Sequence, residues 1–178
     1  AMFDYGRMLI NGDGIPENKK KGMEYLHQSV VGQDINVMYS YGHLLRNGEG
    51  GVPPDKIRAA NYLKMSAERG NQRAMLEYGQ MLLAGEGIPK NEKEGLKLIE
   101  QSTITNAEMM IEYGEMLQKG ELVPVNKQLA AQYFQKAMGL VNFRAMYLFG
   151  QMEINGDGVE MNRDDGIRLL KLSADNGI

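Results

Sequence analysis

The chain has 178 residues, of which 43% are hydrophobic and 24% charged, and these proportions are typical of a folded globular protein. The formal net charge is −3 and the charged residues are scattered, so no basic block favours nucleic acid as a partner. No apolar run approaches the roughly 18 residues of a membrane-spanning helix, which argues against direct membrane insertion.

Five similar segments recur along the chain, and each contains a glycine at the same point. They read AMFDYG, NVMYSYG, RAMLEYG, AEMMIEYG and RAMYLFG. The anchor glycines are separated by 36, 37, 35 and 36 residues, and they are Gly6, Gly42, Gly79, Gly114 and Gly150. A fixed period near 36 predicts a stacked repeat protein. We therefore expect a single solenoid over residues 1–178, with repeats at about 1–36, 37–73, 74–108, 109–144 and 145–178.

The segment around each anchor glycine has the pattern of an amphipathic helix, which we call helix A. Positions are counted from the residue five before the glycine. One face of the helix then contains positions zero, one, four, five, seven and eight. In that order, these positions are mostly Ala, Met, an aromatic residue, Gly, Met and Leu. Glycine inside a helix costs about 1 kcal/mol relative to alanine. Its recurrence at position five therefore predicts a close approach of two helices.

A glycine- and proline-rich loop follows helix A in every repeat. The five copies are GDGIP, GEGGVP, GEGIP, GELVP and GDGVE. Four of the five prolines of the chain lie in them, and the fifth, Pro54, directly follows the second copy. Glycine ends the helix and proline prevents its early resumption. The second copy has one extra residue near Gly50–Gly51.

A second amphipathic segment, helix B, follows each loop and carries its own small residue. These residues are Gly22, Ala59, Gly95, Ala130 and Gly166. Small residues at a fixed spacing on both helices predict a tightly crossed antiparallel pair. The expected N-cap residues are Asp55, Asn91, Asn126 and either Asn162 or Asp164. A single pair cannot bury both its faces, so neighbouring pairs must stack into an all-α solenoid.

These motifs resemble the Sel1-like repeat, a relative of the tetratricopeptide repeat with a longer loop between its helices. Three features depart from the family pattern: Glu153 at position eight, the loop GELVP, and the segment STITNAE before the fourth repeat. The resemblance implies a right-handed α-α superhelix that acts as an adaptor or scaffold and rarely catalyses a reaction. It also implies that helix A lines the concave face, where a protein or peptide partner would bind.

The candidate binding residues occupy the part of helix A that faces away from its apolar side. They are Phe3, Arg7, Tyr39, His43, Arg46, Leu76, Glu77, Gln80, Ile111, Glu112, Glu115, Tyr147 and Gln151. Position two is apolar or aromatic in every repeat, as binding hot spots often are. The charges are basic in early repeats and acidic in middle ones, which could orient a bound peptide. In the alternative interpretation, position two packs against the neighbouring helix A and the charges form a solvated face.

No motif in the chain indicates catalysis, a metal site or a cofactor. The GDG and GEG loops lack the extensions of a phosphate-binding loop, and two histidines without cysteine do not make a zinc site. The absence of cysteine and of Asn-x-Ser/Thr sequons favours an intracellular protein. Because both ends of the chain fall at repeat boundaries without capping segments, we expect it to be a piece of a longer protein.

We therefore predict a non-enzymatic adaptor, monomeric or weakly self-associating. Two other functions stay open. The array could be the regulatory or spacer region of a larger protein whose catalytic domain lies outside the chain. It could also be a structural module that self-associates through its ends.

Overall fold

A computed structural model describes residues 2–32, 34–48 and 52–178. Across these ranges the chain forms ten α-helices and a 3₁₀ turn at Val30–Gly32, without a strand. The helices are α1 (Met2–Asn11), α2 (Lys19–Ser29), α3 (Ile35–Asn47), α4 (Lys56–Glu68), α5 (Gln72–Ala84), α6 (Glu92–Ser102), α7 (Ala107–Lys119), α8 (Lys127–Gly139), α9 (Phe143–Asn155) and α10 (Arg163–Asp175). Odd-numbered helices are the predicted helices A and even-numbered ones the helices B. The extra residue predicted near Gly50–Gly51 lies outside the described residues.

The chain divides into two compact units, Ala1–Ile99 and Glu100–Ile178, and the boundary falls within α6. The first unit therefore contains α1 to α5 and most of α6, and the second contains α7 to α10. In the part of the chain that the structure describes, no helix has the length and hydrophobicity needed to cross a membrane.

The two helices of a repeat meet at their small residues, as the sequence predicts. In the first unit a Cβ added to Gly79 would lie 2.8 Å from the carbonyl oxygen of Gly95. In the second unit a Cβ on Gly150 would lie 2.9 Å from the carbonyl oxygen of Gly166. Real Cβ atoms do not approach backbone oxygen this closely, so these crossings require glycine.

In repeats two and four, where helix B carries alanine, the anchor glycine meets a large side chain instead. A Cβ on Gly42 would lie 2.8 Å from Cγ of Leu63, and one on Gly114 would lie 2.5 Å from Cε1 of Phe134. Leu63 and Phe134 are both fully buried. The anchor glycine therefore makes room for helix B backbone in some repeats and for a core side chain in others.

Every helix A ends at a glycine in the left-handed conformation. The φ angles lie between 66° and 78° at Gly12, Gly48, Gly85, Gly120 and Gly156. The loop then closes through one backbone hydrogen bond, from the amide of the residue just before helix B to the carbonyl oxygen at position eight of helix A. The bonds measure 2.7–2.9 Å and join Asn18 to Leu9, Asp55 to Leu45, Asn91 to Leu82, Asn126 to Leu117, and Asn162 to Glu153.

The fourth loop keeps this geometry although its sequence departs from the pattern. In three other loops the second glycine has a positive φ: 72° at Gly14, 72° at Gly87 and 75° at Gly158. In the fourth loop Leu122 occupies the matching place, with a φ of 63°. A left-handed conformation costs about 1–2 kcal/mol for a residue with a Cβ. The loop closure therefore imposes this conformation even on a leucine.

The predicted helix B caps are confirmed where their contacts are described, and the alternative at Asp164 is wrong. Side chains of Asp55, Asn91, Asn126 and Asn162 each accept a hydrogen bond from the backbone amide three residues later. Asp164 lies inside the first turn of α10, so its side chain is past the capping position. Four helices A also have caps that the sequence analysis did not identify: Asp34, Asn71, Asn106 and Asn142.

Neighbouring repeats meet where the loop of one contacts the start of helix B in the one before. A Cβ on Gly87 would lie 2.7 Å from the carbonyl carbon of Lys56, the first residue of α4. In the second unit a Cβ on Gly158 would lie 2.6 Å from the carbonyl carbon of Lys127, the first residue of α8. Both lysines also pair with the acidic residue of the same loop, which is Glu86 or Asp157. We call this combination the inter-repeat loop contact.

Substitution of the anchor glycine Gly150 by alanine tests the close helix crossing. We expect Gly150→Ala to lower the free energy of unfolding by about 1–3 kcal/mol because its Cβ would meet the Gly166 backbone. The matched control is Gly139→Ala in α8, whose Cβ would have no atom within 4 Å. This control should leave stability unchanged or raise it by up to about 1 kcal/mol. Urea denaturation followed by circular dichroism measures both, and equal losses would contradict the crossing.

A second pair of variants isolates the inter-repeat loop contact. Gly87 and Gly14 occupy the same loop position with the same φ of 72°, but only Gly87 has a neighbour within 4 Å of an added Cβ. Both alanine variants therefore incur the same backbone strain. We expect Gly87→Ala to be less stable than Gly14→Ala by about 1–3 kcal/mol in urea denaturation. Indistinguishable stabilities would show that the loop can move away from Lys56 without loss.

Candidate functional site

In the first unit, the predicted binding residues of α3 and α5 form one polar cluster. Tyr39, His43 and Arg46 are spaced four and three residues apart on α3, so they share one side of the helix. Glu77 and Gln80 lie three residues apart on α5. These five residues, which we call the helix-A cluster, come from two successive repeats.

Glu77 lies at the centre of the helix-A cluster. Its Oε1 accepts a hydrogen bond from the hydroxyl of Tyr39 at 3.0 Å and lies 2.7 Å from Nδ1 of His43. Its Oε2 is buried and accepts no hydrogen bond from the described residues, but Nη1 of Arg46 is 3.7 Å away. Only 13% of the Glu77 side chain is exposed. One buried carboxylate therefore holds three side chains of the preceding repeat in fixed orientations.

Arg46 connects this cluster to the inter-repeat loop contact. Its Nε and Nη2 donate to Oε2 of Glu86 at 3.2 and 3.1 Å, and its Nη1 donates to Oε1 of Gln80 at 3.1 Å. Glu86 also pairs with Lys56 through its other oxygen. Burial alone would raise the pKa of Glu86, but the hydrogen bond from Lys56 and the charge of Arg46 hold it below its ordinary value. Glu86 is therefore a carboxylate at neutral pH.

This pairing changes the interpretation of the charge pattern. The sequence suggested a basic early part and an acidic middle part of the surface. In the first unit, however, Arg46 lies against Glu77 and Glu86, so its charge is largely compensated within the protein. His43, with 37% of its side chain exposed, also contacts Glu77. The helix-A cluster therefore offers a partner a hydrogen-bonded polar surface with little free positive charge.

The residues at position two do not share one environment. Leu76 and Ile111 are only 2% and 0% exposed, so these two predicted contact residues belong to the core. Phe3 and Tyr39 are partly buried against the core of the first unit. Tyr147 is exposed. Leu76 and Ile111 therefore pack within the array, as the alternative interpretation of position two predicted.

In the second unit the predicted residues form two smaller groups. Nη2 of Arg144 donates to Oε1 of Glu115 at 2.6 Å, and Nη1 lies 3.7 Å from Glu108. On α9, Nε2 of Gln151 donates to the hydroxyl of Tyr147 at 2.7 Å. Arg7 in the first unit and Glu112 in the second are exposed.

Sequence reasoning did not identify Glu86 and Arg144, although both contact predicted site residues. Glu86 lies in the loop after helix A, and Arg144 lies one residue before position zero. The sequence contained a pattern for each residue. The loop residue between the two glycines is acidic in the copies GDG and GEG, as Glu86 is. Arginine directly precedes position zero in two repeats, at Arg73 and Arg144. In the described ranges, no three His, Cys, Asp or Glu side chains are grouped so that they could hold a metal ion.

Comparisons with known proteins agree with this architecture. A family model described as Sel1 repeat matches residues 1–30, 35–71, 72–103, 107–137 and 143–178. A comparison with curated protein sequences found no match.

Three solved structures share the fold at low sequence identity. A protective antigen of uropathogenic Escherichia coli with an SLR fold has a TM-score of 0.75 and 19% identity over 99% of this chain. This chain spans 38% of that protein. A Sel1 repeat protein from Oxalobacter formigenes has a TM-score of 0.74 and 18% identity, with 99% of this chain and 73% of that one covered. A sel1 repeat protein from Klebsiella pneumoniae has a TM-score of 0.56 and 14% identity, with 99% and 86% covered.

The lowered pKa of Glu86 predicts a pH-dependent contribution to stability. A carboxyl group whose pKa is lower in the folded state stabilises the protein above its unfolded pKa and loses this effect as the pH falls through the folded pKa. At neutral pH we expect Glu86→Gln to be less stable by about 1–2 kcal/mol. The difference should shrink below about pH 4.3, the ordinary glutamate value.

Urea denaturation of both proteins between neutral and acidic pH measures this difference. Glu68→Gln is the control, because Glu68 is 64% exposed and pairs with Lys64 on its own helix. A pH-independent difference between wild type and Glu86→Gln would contradict the assignment.

Proposed function

This chain belongs to the Sel1 repeat family, and from that premise we propose that it is an adaptor that binds a protein or peptide on its helix-A surface. Solenoids of this family are generally protein-interaction modules and generally non-catalytic scaffolds. We accordingly propose binding without catalysis. The proposal that the partner binds at the helix-A surface rests on the geometry of the helix-A cluster.

The observation that carries the proposal is the fixed orientation of partly exposed side chains by buried partners. Tyr39 and His43 lie side by side, with ring centroids 5.8 Å apart, and both contact Glu77 from the next repeat. A surface whose rotamers are already fixed loses little conformational entropy when a partner binds. Tyrosine is also enriched among residues that dominate binding energy. The helix-A cluster therefore combines a preorganised shape with hydrogen-bonding groups.

The chemistry of the cluster favours a partner that contributes polar backbone or uncharged side chains. Arg46 is already paired with Glu86, so an acidic peptide would have to compete with an existing ion pair. Tyr39 and His43 contribute aromatic rings whose polar atoms already contact Glu77. In the second unit, Tyr147 and Gln151 offer a similar combination of aromatic ring and amide.

Site-specific photocrosslinking tests this proposal. A photoreactive phenylalanine analogue replaces His43 on the helix-A surface or, as a control, Lys64 on α4, whose side chain is 54% exposed. Each protein is irradiated in an extract of the cells that produce it, and adducts are identified by mass spectrometry. We expect an adduct from position 43 that excess wild-type protein suppresses, and no such adduct from position 64.

A competition variant connects the adduct to the helix-A cluster. Tyr39→Ala should compete at least about tenfold less well than wild type, because it removes an aromatic contact and loosens Glu77. Its thermal unfolding, followed by circular dichroism, must stay close to wild type for this comparison. Equal adducts from positions 43 and 64, or full competition by Tyr39→Ala, would contradict the helix-A assignment. An adduct that contains only a second copy of this chain would favour self-association instead.

A further inference from the structure

Glu153 is the one residue at position eight of helix A that is not leucine. The other four repeats carry Leu9, Leu45, Leu82 and Leu117, which are at most 7% exposed. The backbone at Glu153 is unchanged, because its carbonyl oxygen accepts the loop-closing bond from Asn162 at 2.9 Å. The repeat therefore keeps its geometry while a carboxylate replaces a core side chain.

The carboxylate of Glu153 is poorly compensated by the protein. Its Oε2 is buried and has no hydrogen-bond partner among the residues that the structure describes. Burial raises the pKa of Glu153, and the nearby negative charge of Asp165 raises it further, whereas the charge of Arg168 acts in the opposite direction. Arg168 is itself 75% exposed and paired with Asp165 at 2.9 Å. A buried carboxylate oxygen without a partner is unfavourable, so a ligand that paired with the Glu153 carboxylate would be stabilised there.

Glu153 lines an open cavity of about 420 Å³ in the second unit. Phe149, Val159 and Met161 contribute apolar walls, and Gln135 and Glu160 contribute polar groups. The side chain of Asn162, which also lies there, is occupied in capping α10. The Glu153 side chain therefore lines a cavity that has apolar walls and uncharged or acidic neighbours.

A cavity of similar size in the second repeat shows what the fold supplies without this carboxylate. It measures about 430 Å³ and is lined by Leu45, Pro53, Pro54 and Asp55, among others. Leu45 takes the place of Glu153, and the Asp55 carboxylate is occupied in capping α4. A space of this size therefore occurs without a glutamate at position eight. Its charged lining in the second repeat includes the basic Lys56 and Arg58, whereas in the fifth repeat Glu153 adds a second carboxylate to that of Glu160.

We propose that the Glu153 cavity binds the guanidinium group of an arginine side chain presented by a partner protein. A guanidinium is more weakly hydrated than an ammonium, so it enters an apolar-walled cavity more readily. It can also donate to a carboxylate through two nitrogen atoms and to an amide oxygen such as that of Gln135. A divalent metal ion fits less well, because no group of three possible ligands occurs in the described part of the chain.

Binding of a small arginine compound tests the site without knowledge of the partner. The probe is N-acetyl-arginine amide, titrated into ¹⁵N-labelled protein and followed by amide chemical shifts. N-acetyl-citrulline amide has the same shape without the charge, and N-acetyl-lysine amide has the charge without the planar group. We expect saturable shifts around Phe149, Glu153 and Val159 with the arginine compound, weaker shifts with lysine and none with citrulline. Equal responses to arginine and citrulline would overturn the proposal.

Two substitutions of Glu153 provide a control for folding. Glu153→Gln keeps the shape and should weaken arginine binding by about tenfold or more. Glu153→Leu installs the residue of the other four repeats, so we expect it to abolish binding while the thermal midpoint rises. Loss of binding together with increased stability cannot be attributed to unfolding. Undiminished binding by either variant would overturn the proposal.

The protonation state of Glu153 gives an independent readout. Bound guanidinium favours the charged carboxylate, so the pKa of Glu153 should fall when the arginine compound binds. The ¹³C chemical shift of the Glu153 carboxyl carbon, followed against pH with and without the compound, measures this change. Asp165, Glu160 and Arg168 are the other charged groups near this carboxylate. An unchanged pKa in the presence of saturating compound would contradict a direct contact.

Discussion

The rest of the structure depends on how closely the two helices of each repeat approach one another. Where glycine faces glycine, as at Gly79 and Gly95, backbone of one helix occupies the space that a side chain would need on the other. This proximity places the end of helix A beside the start of helix B. The connecting loop must then reverse direction within a few residues, which it does through a left-handed glycine and one backbone hydrogen bond. The period near 36 residues follows from these constraints.

The same loop serves two purposes, because it closes its own repeat and contacts the one before. Its second glycine lies against the first residue of the preceding helix B, and its acidic residue pairs with the lysine there. In the first unit Glu86 extends this contact to Arg46 and hence to the helix-A cluster. Side chains that could bind a partner are therefore oriented by the residues that join successive repeats.

Much of this architecture could be predicted from the sequence, because period, helix faces and left-handed glycines are local properties. The close crossing at Gly150 and the cap at Asn162 are examples. Contacts between repeats were harder to predict, because residues such as Lys56 and Glu86 are 30 positions apart and no pattern within one repeat connects them. The sequence left the burial of Leu76 and Ile111 as one of two alternatives for a related reason. A helical wheel describes one helix, and it does not contain the neighbouring helices that cover position two.

The loop-closing hydrogen bond uses only backbone atoms at position eight, and this has a consequence for how such arrays can diversify. Because the bond to Glu153, at 2.9 Å, lies within the 2.7–2.9 Å range of the bonds to leucine in the other repeats, the side chain at this position does not hold the loop in place. A single substitution there can change the chemistry of one repeat while the register of the array is preserved. A protein built in this way can acquire a new specificity in one repeat at a time, and the other repeats keep the scaffold intact while it does so.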